Sequence, residues 1–111
     1  MDIAEIYDLL YRMGITAKYV GFFHASYALW LVLLQPDRLQ LVTKWLYPEV
    51  AKHYGTNWKA VERNIRSVIS LAWELRPEIL NRIAGERLEG PPRCVQFLSI
   101  LAAYLRYGDA A

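Results

Sequence analysis

Apolar residues recur at helical spacing along almost the whole chain, and strand-like alternation is absent. Ile3, Ile6, Tyr7, Leu10 and Met13 fall on one face of a helix over Asp2–Met13, with Gly14 as its stop. Thr16 is placed to cap a second helix running to about Leu34. Asp37 is placed to cap a third segment that carries Leu39, Leu41, Val42, Trp45 and Leu46. Pro48 breaks that segment, and its lack of an N–H favours a new helix starting there and running to about Tyr54. Trp58–Glu74 forms the next helix. Pro77 opens a short one ending at Gly85, and Pro92 precedes a last helix over about Arg93–Tyr107. The pattern predicts an all-α fold, a compact bundle of about six helices with no repeat and no linker, spanning residues 1–111 as a single domain.

Tyr19–Leu34 carries no formal charge and invites a membrane test. It is shorter than the roughly 20 apolar residues a span needs, and it contains His24 and Ser26. It is therefore expected as a buried central helix. The start of the chain, with Asp2 and Glu5, lacks the positive charge of a secretory signal.

The region Tyr47–Trp73 holds two helices separated by Gly55-Thr56-Asn57, a break of helix-turn-helix length. Ala51 is small where the second helix must cross. Gly55 follows four residues later, where the turn needs positive φ, and Val61 starts the buried stripe of the second helix. The helix-turn-helix is thus expected at about 47–74, with a second helix at about 58–74. Phased at about 100° per residue, that helix buries Val61, Ile65, Val68, Ile69 and Ala72, with Trp73 at the edge. Its other face shows Lys59, Arg63, Arg66, Ser67 and Ser70, with Glu62 at the boundary. Arg63 and Arg66 suit guanine acceptors, and Glu62 suits a cytosine amino group. Lys44, Lys52 and Lys59 suit phosphates. Glu62 and Arg66, four apart, also suit a simple pair along the helix.

Composition adjusts this picture only slightly. Thirteen Lys+Arg against eleven Asp+Glu give +2, so a nucleic-acid reading rests on where charge sits rather than on its total. Tyr7, Tyr11, Phe22, Phe23, Trp30, Trp45, Trp73, Phe97 and Tyr104 are expected in the core. Trp58 is expected to staple the turn, with contact to the DNA backbone as the alternative. The single Cys94 excludes an internal disulfide and a cysteine zinc site. His24 and His53 lack ligand company; packing is expected for the first and interaction with a helix C-terminus for the second. Neither a nucleophile arrangement nor a phosphate loop is present. No cofactor, metal or enzymatic activity is expected.

"LYPEVAK" at Leu46–Lys52, then Thr56, then "VERNIRSVISLAW" at Val61–Trp73, resembles the C-terminal DNA-binding domain of the stage zero sporulation response regulator, protein A. Weaker similarity covers Gly14-Ile15, Ala17 and Gly21, and then Pro92, Phe97 and "LAAYLR" at Leu101–Arg106. The resemblance implies a six-helix domain that binds a short promoter box on double-stranded DNA, as an activator or repressor. It also implies copies side by side on tandem boxes, dealings with the transcription machinery, and a cytoplasmic, nucleoid-associated location. On this reading Glu62, Arg63, Arg66 and Ser67 lie at bases, and Lys44, Lys52, Thr56 and Lys59 at phosphates. The chain departs from the family pattern at Ala60, where an Arg is usual, and at Ser67, where a His is usual. Further departures fall at Ser26-Tyr27 and at Arg93-Cys94-Val95-Gln96. The family's receiver domain is not in this sequence. Two other readings are a protein-interaction domain that kept the fold but not useful DNA affinity, and a membrane-associated helical protein.

Overall fold

The computed structural model describes residues 2–108. It contains seven α-helices and one 3₁₀ segment, and no strand among the described residues. They are α1 (Ile3–Arg12), α2 (Val20–Leu34), the 3₁₀ segment Pro36–Leu41, α3 (Val42–Trp45), α4 (Tyr47–Tyr54), α5 (Trp58–Leu75), α6 (Pro77–Ala84) and α7 (Cys94–Tyr107). The all-α class and the helix-turn-helix at α4–α5 follow the sequence pattern. The seven α-helices match the seven segments marked by the pattern, with the one after Leu34 divided into the 3₁₀ segment and the short α3.

Helix α2 is the axle of the fold. It packs on α1, α4, α5 and α7, and most extensively on α5. Its apolar run is buried on nearly all sides, with Phe22, Ala25, Ala28, Leu29 and Val32 almost inaccessible. No helix is long and apolar enough, among the described residues, to cross a membrane. The close approach to α5 depends on Gly21. A Cβ there would collide with the Asn64 carbonyl oxygen and lie 2.6 Å from Val68 Cγ1.

Two expected caps are corrected. Thr16 does not cap α2. The chain makes a turn in which Tyr19 N–H donates to Thr16 O at 3.2 Å, and α2 starts at Val20 without a side-chain cap. Asp37 does not open one continuous helix either. Pro36–Leu41 is 3₁₀, followed by the four-residue α3. Arg38 holds this stretch in place by donating through Nε to Gln35 Oε1 at 3.0 Å and through Nη1 to the Trp45 carbonyl. By contrast Asp2 does cap α1, its Oδ1 accepting from Ala4 N–H at 3.2 Å. Pro48 sits in the first turn of α4, as its missing N–H favours.

The core includes Tyr47 and Leu46, both fully buried, alongside Phe22 and Phe97. Three aromatics expected inside are instead exposed: Tyr11 at 48%, Phe23 at 36% and Trp45 at 42%. Their large area favours burial, but Tyr11 lies off the buried Ile6–Leu10 face of α1, and Phe23 directly follows Phe22, whose ring already lies in the buried layer. Tyr7, Trp30, Trp73 and Tyr104 are half-buried against that layer.

Candidate nucleic-acid interface

The interface is built on the turn between α4 and α5. Gly55 takes φ 66°, ψ 38°, a left-handed conformation in which a side chain would be strained. That conformation lets Thr56 N–H donate to Ala51 O at 2.9 Å and closes the end of α4. Asn57 then starts α5, its Oδ1 accepting from Ala60 N–H at 2.9 Å. Ala51, buried at the crossing, lets the helices approach. Trp58 is half-buried against the core at the start of α5, consistent with a staple.

The phase expected for α5 is the phase observed. Val61, Ile65, Val68, Ile69 and Ala72 are buried, and Lys59, Arg63, Arg66, Ser67 and Ser70 are exposed. On the exposed face Arg66 Nη2 donates to Glu62 Oε1 at 3.0 Å, with the Arg66 side chain 63% exposed and the Glu62 side chain 32%. Such a pair is worth about 0.2–0.5 kcal/mol, so a better acceptor opens it easily. Ser67 Oγ donates to the Arg63 carbonyl at 3.0 Å. The Arg63 guanidinium has no hydrogen-bond or ion-pair partner among the described residues.

Two cavities flank this face. On one side Arg63 and Thr56 line a hollow with Lys18, His24, Tyr54 and Ala60. Asn64 Nδ2 lies 3.4 Å from His24 Nδ1 at its base, and burial pushes the His24 pKa below its ordinary value. On the other side Glu62 and Arg66 line a hollow with Pro92, Arg93, Cys94 and Tyr47. Burial, with Cys94 alongside, pushes the Tyr47 phenol well above its usual range, and its hydroxyl has no hydrogen-bond partner among the described residues. Burial likewise raises the Cys94 thiol. Both groups therefore stay uncharged at neutral pH beneath the Glu62–Arg66 pair.

Among the expected phosphate-binding residues, Lys52, Thr56 and Lys59 are exposed in or beside the turn, with Lys59 Nζ 5.9 Å from the centre of the Trp58 ring. Lys44 stands apart on α3, beside Arg38, Trp45 and Glu49. His53 does more than sit at a helix end: it stacks on Tyr27, with centroids 4.1 Å apart and planes 13° from parallel. Sequence reasoning missed Lys18 and Arg93, which reach the two flanks of α5 from the α1–α2 loop and the start of α7. Both are remote from α5 in the sequence, and no spacing rule links them to it. Among the described residues, no group of three or more potential metal ligands is present.

The family model described as sporulation initiation factor Spo0A C terminal matches residues 6–105, nearly the whole chain.

Proposed function

The chain belongs to the family of the C-terminal domain of sporulation initiation factor Spo0A, a DNA-binding effector domain of sporulation regulators, and from that premise we propose that α5 enters the major groove of a promoter box and reads its sequence. The observation that carries the reading is the stripe of Arg63, Arg66 and Ser67 that the core leaves exposed on α5. Arg63 makes the bidentate contact to a guanine. Arg66 leaves Glu62 to make a second, and the released Glu62 carboxylate accepts from a cytosine amino group. Ser67 adds a hydroxyl at the edge of the same stripe.

Lys52, Thr56 and Lys59 hold phosphates around the turn, with Lys44 further along the duplex. Lys18 and Arg93 extend the phosphate grip on either flank of α5. Lys18 thereby supplies charge on the side where Ala60 replaces the usual Arg. Copies occupy tandem boxes side by side, residues 1–111 act as one DNA-binding unit, and the protein works at the nucleoid in the cytoplasm without catalysis.

Selection from a random-duplex library at about 0.15 M salt, an ionic strength that suppresses weak charge-only binding, tests the reading. A defined enriched box is expected, and Arg63→Ala is expected to cost about 1–3 kcal/mol on that box and to relax one base position. If a folded sample enriches no sequence, the reading gives way to a protein-interaction domain.

A further inference from the structure

An aromatic groove of about 640 Å³ lies between α1, α2 and the last turn of α4. Tyr7, Tyr27, Trp30, His53 and Tyr54 line it, with Asp2 at one end. The rings are ordered against one another. Tyr27 and His53 stack at 4.1 Å, and Tyr54 stands edge-on to both, at interplanar angles of 87° and 86°. Ser26 also lines the groove, but its hydroxyl is spent on the Phe22 carbonyl at 2.6 Å.

The groove differs in charge from the hollows beside α3 and α5, each of which contains cations. The hollows beside α5 carry Lys18 and Arg63 on one flank, and Arg66 and Arg93 with Glu62 on the other. The hollow beside α3 carries Arg38 and Lys44 together with Asp37 and Glu49. Among the described residues the aromatic groove has no Lys or Arg in its lining, and Asp2 is the one carboxylate there. In a chain with thirteen Lys+Arg, that makes it a cation-seeking site. Ring faces are electron-rich and attract ammonium and guanidinium groups. Asp2 Oδ1 takes the Ala4 N–H, and Oδ2 accepts no hydrogen bond from the described residues. Burial, then the neighbouring Tyr7 and Tyr27, raise the Tyr54 phenol, so it remains a neutral hydroxyl available to a polar head.

We propose that this groove receives an arginine side chain presented by a partner protein. Arginine fits better than lysine because a planar guanidinium stacks on the rings while its fork reaches the Asp2 carboxylate. A side chain from a protein surface fits better than a free small molecule, which needs roughly 70–90% of its own surface covered. Asp2, His53 and Tyr54 are exposed at the rim, where a protein surface rests. The groove shares none of Glu62, Arg63, Arg66 or Ser67. Tyr54 lines both the groove and the Arg63 hollow, so the two sites adjoin.

The test is a titration of the isotope-labelled full chain with N-acetyl-arginine amide, reading the ring resonances of Trp30, Tyr27 and Tyr54. N-acetyl-citrulline amide, a neutral mimic of similar shape, and N-acetyl-aspartate amide run in parallel. Arginine amide is expected to give saturable shifts, with citrulline amide at least about fivefold weaker, the ratio that roughly 1 kcal/mol of cation attraction produces. Asp2→Asn keeps a good capping residue and is expected to weaken arginine binding about threefold or more without lowering thermal stability. His53→Ala, which removes an exposed wall of the groove, is expected to weaken it as well. Equal binding of citrulline, binding of aspartate instead, or no saturable shift with arginine amide up to about 50 mM overturns the proposal. DNA anisotropy on the same samples separates this outcome from the DNA reading, because Tyr27 and Trp30 line the groove and not the hollow that holds Arg63.

Discussion

Gly21 is the residue at which α2 and α5 come closest, and its missing side chain decides how they cross. A methyl group there meets the Asn64 carbonyl and Val68 Cγ1. Gly21→Ala is therefore expected to destabilise the protein by about 1–3 kcal/mol despite the better helix propensity of alanine. A lower denaturant midpoint at unchanged slope checks this. His24, nearby, is 3% exposed, and burial lowers its pKa. The unfolded chain then binds a proton near pH 6.5 that the folded chain resists. The stability His24 allows is present above about pH 6.5 and is lost as pH falls toward its lower folded value. Melting curves from pH 7.5 to 5 are expected to show that loss, and His24→Gln is expected to flatten it. Packing of His24 was readable from its apolar neighbours. The role of Gly21 was not, because its partner atoms lie more than forty residues away.

At the level of elements, the α4–turn–α5 unit was the most legible part of the chain. Ala51, Gly55 and Val61 announce it by spacing, and each performs the role its size or backbone freedom suits. Asn57 completes the turn by capping α5, so Asn57→Ala is expected to cost about 1 kcal/mol. Faster amide exchange at Trp58–Val61 than in the middle of α5 is the corresponding local signature. The stretch after Leu34 was the least legible. Its apolar residues suit a helix, but Pro36 starts a 3₁₀ segment there. Arg38 then ties the Trp45 carbonyl, leaving Leu41 and Trp45 exposed. Local periodicity does not register a side chain that captures a backbone carbonyl seven residues on.

For the whole molecule, a net charge of +2 makes DNA affinity depend on a few well-placed cations. Log affinity is expected to fall with log salt at about 0.9 per phosphate engaged. Lys52→Ala should weaken all sequences alike and reduce that slope by about one. Lys18→Ala and Arg93→Ala should each act in the same direction, as residues that only folding brings beside α5. Anisotropy titrations across a salt series compare all three.

The all-α class, the buried stripe of α5, the exposed Arg63–Arg66–Ser67 stripe and the buried central helix are all consequences of local pattern. A period of 3.6 residues, a glycine tolerant of positive φ and a proline without an N–H act over a few residues, and the linear order contains them in full. Folding alone settled which aromatics fill the core, which cations flank α5, and where five rings and one carboxylate meet. Those features join residues twenty to seventy positions apart. They follow from helix crossings set by close contacts such as Gly21 on Asn64, and by long-range ties such as Arg106 Nη2 to the Leu33 carbonyl. A helical repeat gives each side chain a direction, but the neighbour it meets depends on how the helices cross.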